Sequence, residues 1–216
     1  MGRRAGTAAT SMLRRTVGRL PVPLRQALYK GGQRRDRLRD PDAVIAALAI
    51  RPGDRVAELG PGYGHFALRL ALAVVPDGTC YAADADQETL DDLRRAADRR
   101  GITNLLPVLT PRDRLELPEP VDLLFVSAMY HHLRRPVRYF TGVRSLLRPV
   151  GRVAILESRL EGMAARWMNP HGSVPSRVLA EMTEAGYELL ETHDVVQGHW
   201  FGVFGVRRDG PAQAVG

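Results

Sequence analysis

At 216 residues and 44% hydrophobic composition, the chain is about one domain long and can bury a core without covalent staples. Its single cysteine, Cys80, excludes an intramolecular disulfide and speaks against a cysteine-built zinc site, and no apolar run approaches the ~20 residues of a membrane span. The net charge of +7 points to nucleic acid or a membrane surface only until it is located.

Residues 1–39 hold ten arginines and Lys30 against one acid, Asp36, so this arm carries +10 and the remainder −3. Basicity therefore belongs to the arm, and the body is not expected to bind nucleic acid. Three readings of the arm stand. It is a solvated extension; or a membrane-surface segment, with Leu13, Val17 and Leu20 at helical spacing among Arg14, Arg15 and Arg19; or an Arg-rich transit peptide without the apolar core of a secretory signal. The only lysine, Lys30, precedes every domain-like pattern. That leaves no place for a P-loop or a Schiff-base lysine.

The body opens at Asp40-Pro41, a helix start, with Val44, Ile45, Leu48 and Ala49 forming an apolar face. Arg51–Asp54 is a turn. Arg55–Leu59 is a strand running into Gly60-Pro61-Gly62-Tyr63-Gly64, and Phe66–Val75 is a helix. Thr79–Asp84 is a second strand, and Gln87–Arg100 a helix with Leu90, Leu93 and Ala97 inward and Asp86 as N-cap. Leu105–Leu109 and the apolar Val121–Val126 are strands three and four. Val137–Leu147 is a helix and Gly151–Glu157 strand five. After an irregular stretch (158–173), Pro175–Ala185 is a helix capped by Gly186. Tyr187–Val195 and Trp200–Arg207 are separated too closely for a crossover helix and form an antiparallel hairpin. The expectation is an α/β fold: a Rossmann-like, doubly wound, seven-stranded, mostly parallel sheet with a C-terminal antiparallel hairpin and helices on both faces. Its bounds are a basic extension (1–39), a catalytic domain (40–208) and a flexible tail (209–216).

Ligands of such sheets sit at the strand carboxyl ends, where strand order reverses. The first strand ends in Glu58 and a G-x-G-x-G turn, not the G-x-G-x-x-G of a dinucleotide cradle. An acid at that place suits a ligand with an ammonium group better than a pyrophosphate. Asp84, at the end of strand two, can accept from two ribose hydroxyls. Asp113, between Arg112 and Arg114, either accepts from an adenine amino group or is a solvated loop carboxylate.

Glu58-Leu59-Gly60-Pro61-Gly62-Tyr63-Gly64 followed by Tyr81-Ala82-Ala83-Asp84 resembles the first two motifs of class I S-adenosylmethionine-dependent methyltransferases. Asp113 with Leu117-Pro118, Val121–Phe125 through Tyr130-His131-His132, and Leu146–Arg152 resemble the later motifs, so the likeness spans roughly 41–207. It departs at Val150, where a glycine is usual. It also lacks the Asn/Asp-Pro-Pro-Tyr signature that looks for base amino groups. The resemblance implies S-adenosyl-L-methionine as cofactor. Glu58, Gly60, Pro61, Gly62, Tyr63 and Gly64 would hold its methionine part, Asp84 and Ala85 the ribose, Arg112 and Asp113 the adenine, and Ser127 and Ala128 the sulfonium edge together with Met129.

Methyl transfer from a sulfonium is an in-line displacement in which the protein mainly positions the partners, with a base where the nucleophile is protonated. His131 and His132 are the candidate bases; the competing reading is one packed and one surface histidine. Met129, Tyr130, Glu157 and His171 are candidate acceptor contacts, Glu157 alternatively pairing with Arg152 or Arg159. The 158–173 stretch, with Met163, Trp167, Met168 and His171, is a lid or a packed loop. His131, His132 and His171 could converge on a metal, but adjacent histidines share no helix face, and no metal is expected. The leading expectation is a cytoplasmic methyltransferase with a small-molecule acceptor. The alternatives are a lipid or quinone acceptor with the arm on a membrane, a non-catalytic protein of the same fold, and an NAD oxidoreductase disfavoured by the glycine spacing.

Overall fold

The computed structural model describes residues 40–159 and 173–207. The arm, the lid residues Met163, Trp167, Met168 and His171, and the tail lie outside the described residues. In chain order the elements are α1 (Pro41–Ala47), β1 (Arg55–Leu59), α2 (Ala67–Ala73), β2 (Thr79–Asp84), α3 (Gln87–Asp98), β3 (Leu105–Leu109) and β4 (Val121–Ser127). A 3-10 turn (Tyr130–His132), α4 (Pro136–Val143), a second 3-10 turn (Arg144–Leu146), β5 (Leu147–Ser158), α5 (Pro175–Glu184), β6 (Tyr187–His193) and β7 (His199–Val206) follow.

The strands form one seven-stranded sheet in the order β3-β2-β1-β4-β5-β7-β6. The first five run parallel, and β7 runs antiparallel to both its neighbours. The expected Rossmann-like fold with its closing hairpin is what forms. Strand order reverses between β1 and β4, so the crevice of a doubly wound sheet falls at their carboxyl ends.

Period-two alternation sends successive residues to opposite faces. Val56, Leu123 and Phe125 point to a core closed by Val44, Leu70 and Leu93 of α1, α2 and α3. Ala57, Leu124 and Val126 point to a second core under Phe140 and Val143 of α4 and Met182 of α5. Phe125 is the hinge of the first core. It is fully buried and meets Phe66 edge-on at 5.0 Å and Phe201 at 6.3 Å.

Local signals set the element ends. Asp86 caps α3 by accepting from the Glu88 N–H at 3.1 Å. Pro136 and Pro175 open α4 and α5, where a missing N–H costs nothing. Gly186, at φ +90, follows α5 and donates its N–H to the Thr183 carbonyl. The helix expected over Val137–Leu147 ends at Val143, because the chain tightens into a 3-10 turn and Leu147 already pairs with Val121. Strand β5 therefore begins four residues before the expected Gly151. Val150 is exposed to solvent and outside the left-handed region, so its substitution for glycine is tolerated. Gly151 is the restrictive position: a Cβ there would lie 2.9 Å from the Arg148 and Val121 carbonyl oxygens.

Among the described residues no helix is long and apolar enough to cross a membrane. Truncating Phe125→Ala is expected to lower unfolding free energy by about 3–5 kcal/mol, read as a lowered urea midpoint. A loss under about 1 kcal/mol would show that the three-ring contact does not organise this core.

Candidate functional site

The parallel register pairs Leu59 with Ala83, which brings Gly60 beside Asp84. The Gly60 N–H donates to the Ala83 carbonyl at 2.8 Å, turning the chain across the end of β2. Three glycines then adopt positive φ: +72 at Gly60, +54 at Gly62 and +82 at Gly64. Their surroundings differ. A Cβ on Gly64 would sit 2.3 Å from Leu93, and one on Gly60 would press on Met129 at 3.0 Å. A Cβ on Gly62 would meet nothing within 4 Å. Gly64 thus serves packing, whereas Gly62 faces open space where a ligand can lie against the backbone. Pro61 is buried and Tyr63 half-buried in the same turn.

Glu58 lies beneath this loop, 2% exposed. The Ala67 N–H at the start of α2 donates to its carboxylate. Its Oε2 has no hydrogen-bond partner. Burial, with a smaller contribution from the Asp84 charge and opposed by the Ala67 N–H, pushes its carboxyl up to about 8. An uncompensated buried oxygen under a glycine loop fits a ligand carrying a hydrogen-bond donor or a positive charge. Asp84 is half-buried at the end of β2, and its Oδ1 accepts from the Asp86 N–H at 3.0 Å. Ala85 continues the same rim.

Asp113 stands in solvent with Arg112 and lies 3.7 Å from Arg114. This contact lies at the rim of a cavity of about 330 Å³ that also reaches Arg138, Tyr139 and Ser145. Tyr139 was not singled out by the sequence. Burial, followed by the charges of Asp113 and Asp84, holds its phenol above the usual range, which places it near the ends of both β2 and β3. The available signal was one of two adjacent aromatics, Tyr139 and Phe140, on the short helix after strand four.

The segment after β4 closes the other side. Ala128 takes φ +50, unusual for a residue with a Cβ, and its N–H donates to the Leu156 carbonyl at 2.9 Å. Met129 then packs on Gly60. Tyr130 and Glu157, expected as acceptor contacts, both turn inward. The Tyr130 ring stacks on Phe140 at 5.6 Å and its hydroxyl donates to Glu181 Oε2 at 2.8 Å. Glu157 is 1% exposed. Its Oε1 accepts from the Tyr130 N–H at 2.7 Å and its Oε2 faces His131 Nδ1 at 2.9 Å. Arg152 instead donates to the Leu48 carbonyl. The His131 and His132 rings lie 4.1 Å apart, with His131 the one turned inward. His171 lies outside the described residues, among which no three His, Cys, Asp or Glu side chains gather as a metal site would require.

The Glu58 environment gives a pH signature. The folded chain retains a proton that the unfolded chain releases between about pH 4.5 and 8, so this group lowers stability as pH rises through that window. Glu58→Gln keeps an acceptor for Ala67 and removes the titration. Its unfolding free energy is expected to fall less than wild type between those limits, by on the order of a few kcal/mol. Parallel stability-against-pH curves for the two proteins would contradict this.

Comparison with known proteins gives a consistent picture. A family profile described as a methyltransferase domain matches residues 56–151. A probable cobalt-precorrin-6B C(15)-methyltransferase of Saccharolobus solfataricus is 21% identical over 156 residues, covering 71% of each chain. A protein-L-isoaspartate O-methyltransferase of Methanocella arvoryzae is 33% identical over 113 residues, 50% of this chain and 59% of its own. The chain spans from 33% to 71% of the length of four curated relatives it matches. A solved S-adenosylmethionine-dependent methyltransferase from Aquifex aeolicus superimposes with a TM-score of 0.69 at 21% identity, covering 78% of this chain and 90% of its own. With the strand order and the glycine loop in place, residues 56–151 match a methyltransferase domain, and the chain shares the fold of a solved S-adenosylmethionine-dependent methyltransferase.

Proposed function

We propose that this protein transfers a methyl group from S-adenosyl-L-methionine to a small-molecule acceptor. The observation that carries the reading is the paired opening at the ends of β1 and β2: open space over Gly62 above the buried, unpartnered Glu58 Oε2. When bound, the cofactor supplies a methyl group already activated on a sulfonium.

The chain's own residues then bind and orient. Glu58 offers its spare oxygen to the ammonium end. Gly60 and Gly62 let the backbone come close to the ligand, with Pro61, Tyr63 and Gly64 shaping the turn. Asp84, with Ala85 beside it, accepts from the ribose hydroxyls. Asp113 and Arg112 stand at the adenine end, and Ser127, Ala128 and Met129 line the edge nearest the reacting carbon. His131 and His132 flank the acceptor side, where a histidine can take a proton from a hydroxyl or thiol nucleophile.

Two features favour a small acceptor. The residues after strand four are Ser127-Ala128-Met129-Tyr130 rather than the signature for base amino groups. The charge outside the arm is −3, which gives a phosphate backbone no counterion-release advantage. The matched relatives differ in acceptor, their names including a cobalt-precorrin, a protein isoaspartate and ribosomal RNA enzyme. For that reason the acceptor class is tested directly.

Titration calorimetry is expected to give saturable binding of S-adenosyl-L-methionine and none of NAD. Asp84→Ala should weaken that binding by about tenfold or more, the worth of a lost hydrogen bond to a charged group. With a radiolabelled methyl donor and a fractionated cell extract, label should enter the small-molecule fraction. Label confined to RNA or protein would overturn the acceptor class, and NAD binding alone would overturn the activity.

A further inference from the structure

Glu157 does work that neither the resemblance nor the cofactor cradle assigns. We propose that it is a positioning residue for cofactor binding, one that holds the Ser127–His131 segment against the glycine loop and fixes the ring proton of His131 on Nδ1. The inference rests on the cofactor reading above.

Three hydrogen-bonded links tie this segment to the end of β5. The Ala128 N–H reaches the Leu156 carbonyl at 2.9 Å, the Tyr130 N–H reaches Glu157 Oε1 at 2.7 Å, and His131 Nδ1 lies 2.9 Å from Glu157 Oε2. Two of the three are made by one carboxylate that is almost wholly buried. Between these anchors sit the left-handed Ala128 and Met129, whose Cγ and Sδ lie where a Cβ on Gly60 would approach to 3.0 Å. A shift of the segment therefore moves Met129 directly on the loop that would receive the cofactor.

A single regular ladder bond would not hold a left-handed residue in place; strained backbone persists only where its surroundings over-determine it. The second anchor comes from the far side. The Tyr130 hydroxyl donates to Glu181 Oε2, and Glu181 is also paired with Arg177 at 2.8 Å, which fastens the same turn to α5. The carboxylate also selects a tautomer. A carboxylate is an acceptor only, so His131 must donate through Nδ1. That is the arrangement by which a buried acid orients a histidine.

Glutamine separates the two roles. The amide oxygen of Glu157→Gln can still accept from the Tyr130 N–H, while its NH₂ faces His131 and forces Nδ1 to accept, moving the ring proton to Nε2. Glu157→Ala removes both contacts of the carboxylate, to the Tyr130 N–H and to His131. The probe is S-adenosyl-L-homocysteine, titrated into the full-length chain, with long-range nitrogen–proton spectra of the His131 ring in mildly alkaline buffer.

The expected results are these. Wild type binds the probe and shows the Nδ1–H form. Glu157→Gln shows the Nε2–H form and keeps affinity within about threefold. Glu157→Ala, with its circular dichroism spectrum retained, loses about tenfold or more. Unchanged affinity in Glu157→Ala overturns the positioning role. An unchanged tautomer in Glu157→Gln overturns the His131 contact, and this readout survives even if the alanine variant fails to fold. If wild type itself binds no probe, the cofactor reading falls and the positioning role with it, a result distinct from a tight-binding alanine variant.

Discussion

The structure depends on β1 being clamped between two parallel neighbours. Its pairing with β2 on one side and β4 on the other leaves almost no residue of the strand exposed. A strand buried on both faces has to be apolar along its length. Polar chemistry is thereby pushed to the strand ends, and parallel direction puts all those ends on one edge. Leu59 beside Ala83 and Val126 is enough to bring Gly60, Asp84 and Ser127 together.

Two carboxylates break the apolar rule, and they break it differently. Glu58 sits in β1 with one oxygen held by the Ala67 N–H and the other without a partner. Glu157 sits near the end of β5 with both oxygens engaged. An unsatisfied buried oxygen is costly, whereas a satisfied one fixes geometry. The first is a place for something to bind; the second is a place where the protein has already bound itself. Their difference is invisible in the identity of the residues, because both are glutamates near strand ends.

That contrast explains what could be read from the chain in advance. Alternation between helical and strand periods is local, so the sheet, its hairpin and the Asp86 cap were legible. So was the glycine turn, since its spacing and its place after a strand are sequence properties. Element ends decided by pairing were not: α4 stops at Val143 because Leu147 is claimed by Val121, far away in sequence. Side-chain direction after β4 was also hidden. Tyr130 reads equally well as an acceptor contact or as core until Phe140 and Glu181 are known to flank it. Glu181 itself, four residues after Arg177, resembles an ordinary surface pair on a helix. The Tyr139 phenol escaped notice for a related reason: its neighbours Asp84, at the end of β2, and Asp113, in the loop after β3, are remote from it in sequence.

The position of β7 has a consequence for how such a chain is made. It lies between β5 and β6, although both precede it in the sequence. Until residue 206 has left the ribosome, the long edge of β5 has no partner, and Phe201 is missing from its place against Phe125. Synthesis therefore produces a nascent sheet with an open, apolar margin, the kind of edge on which unrelated chains can stack. The completed sheet has its last-made strand between two earlier ones rather than at its margin.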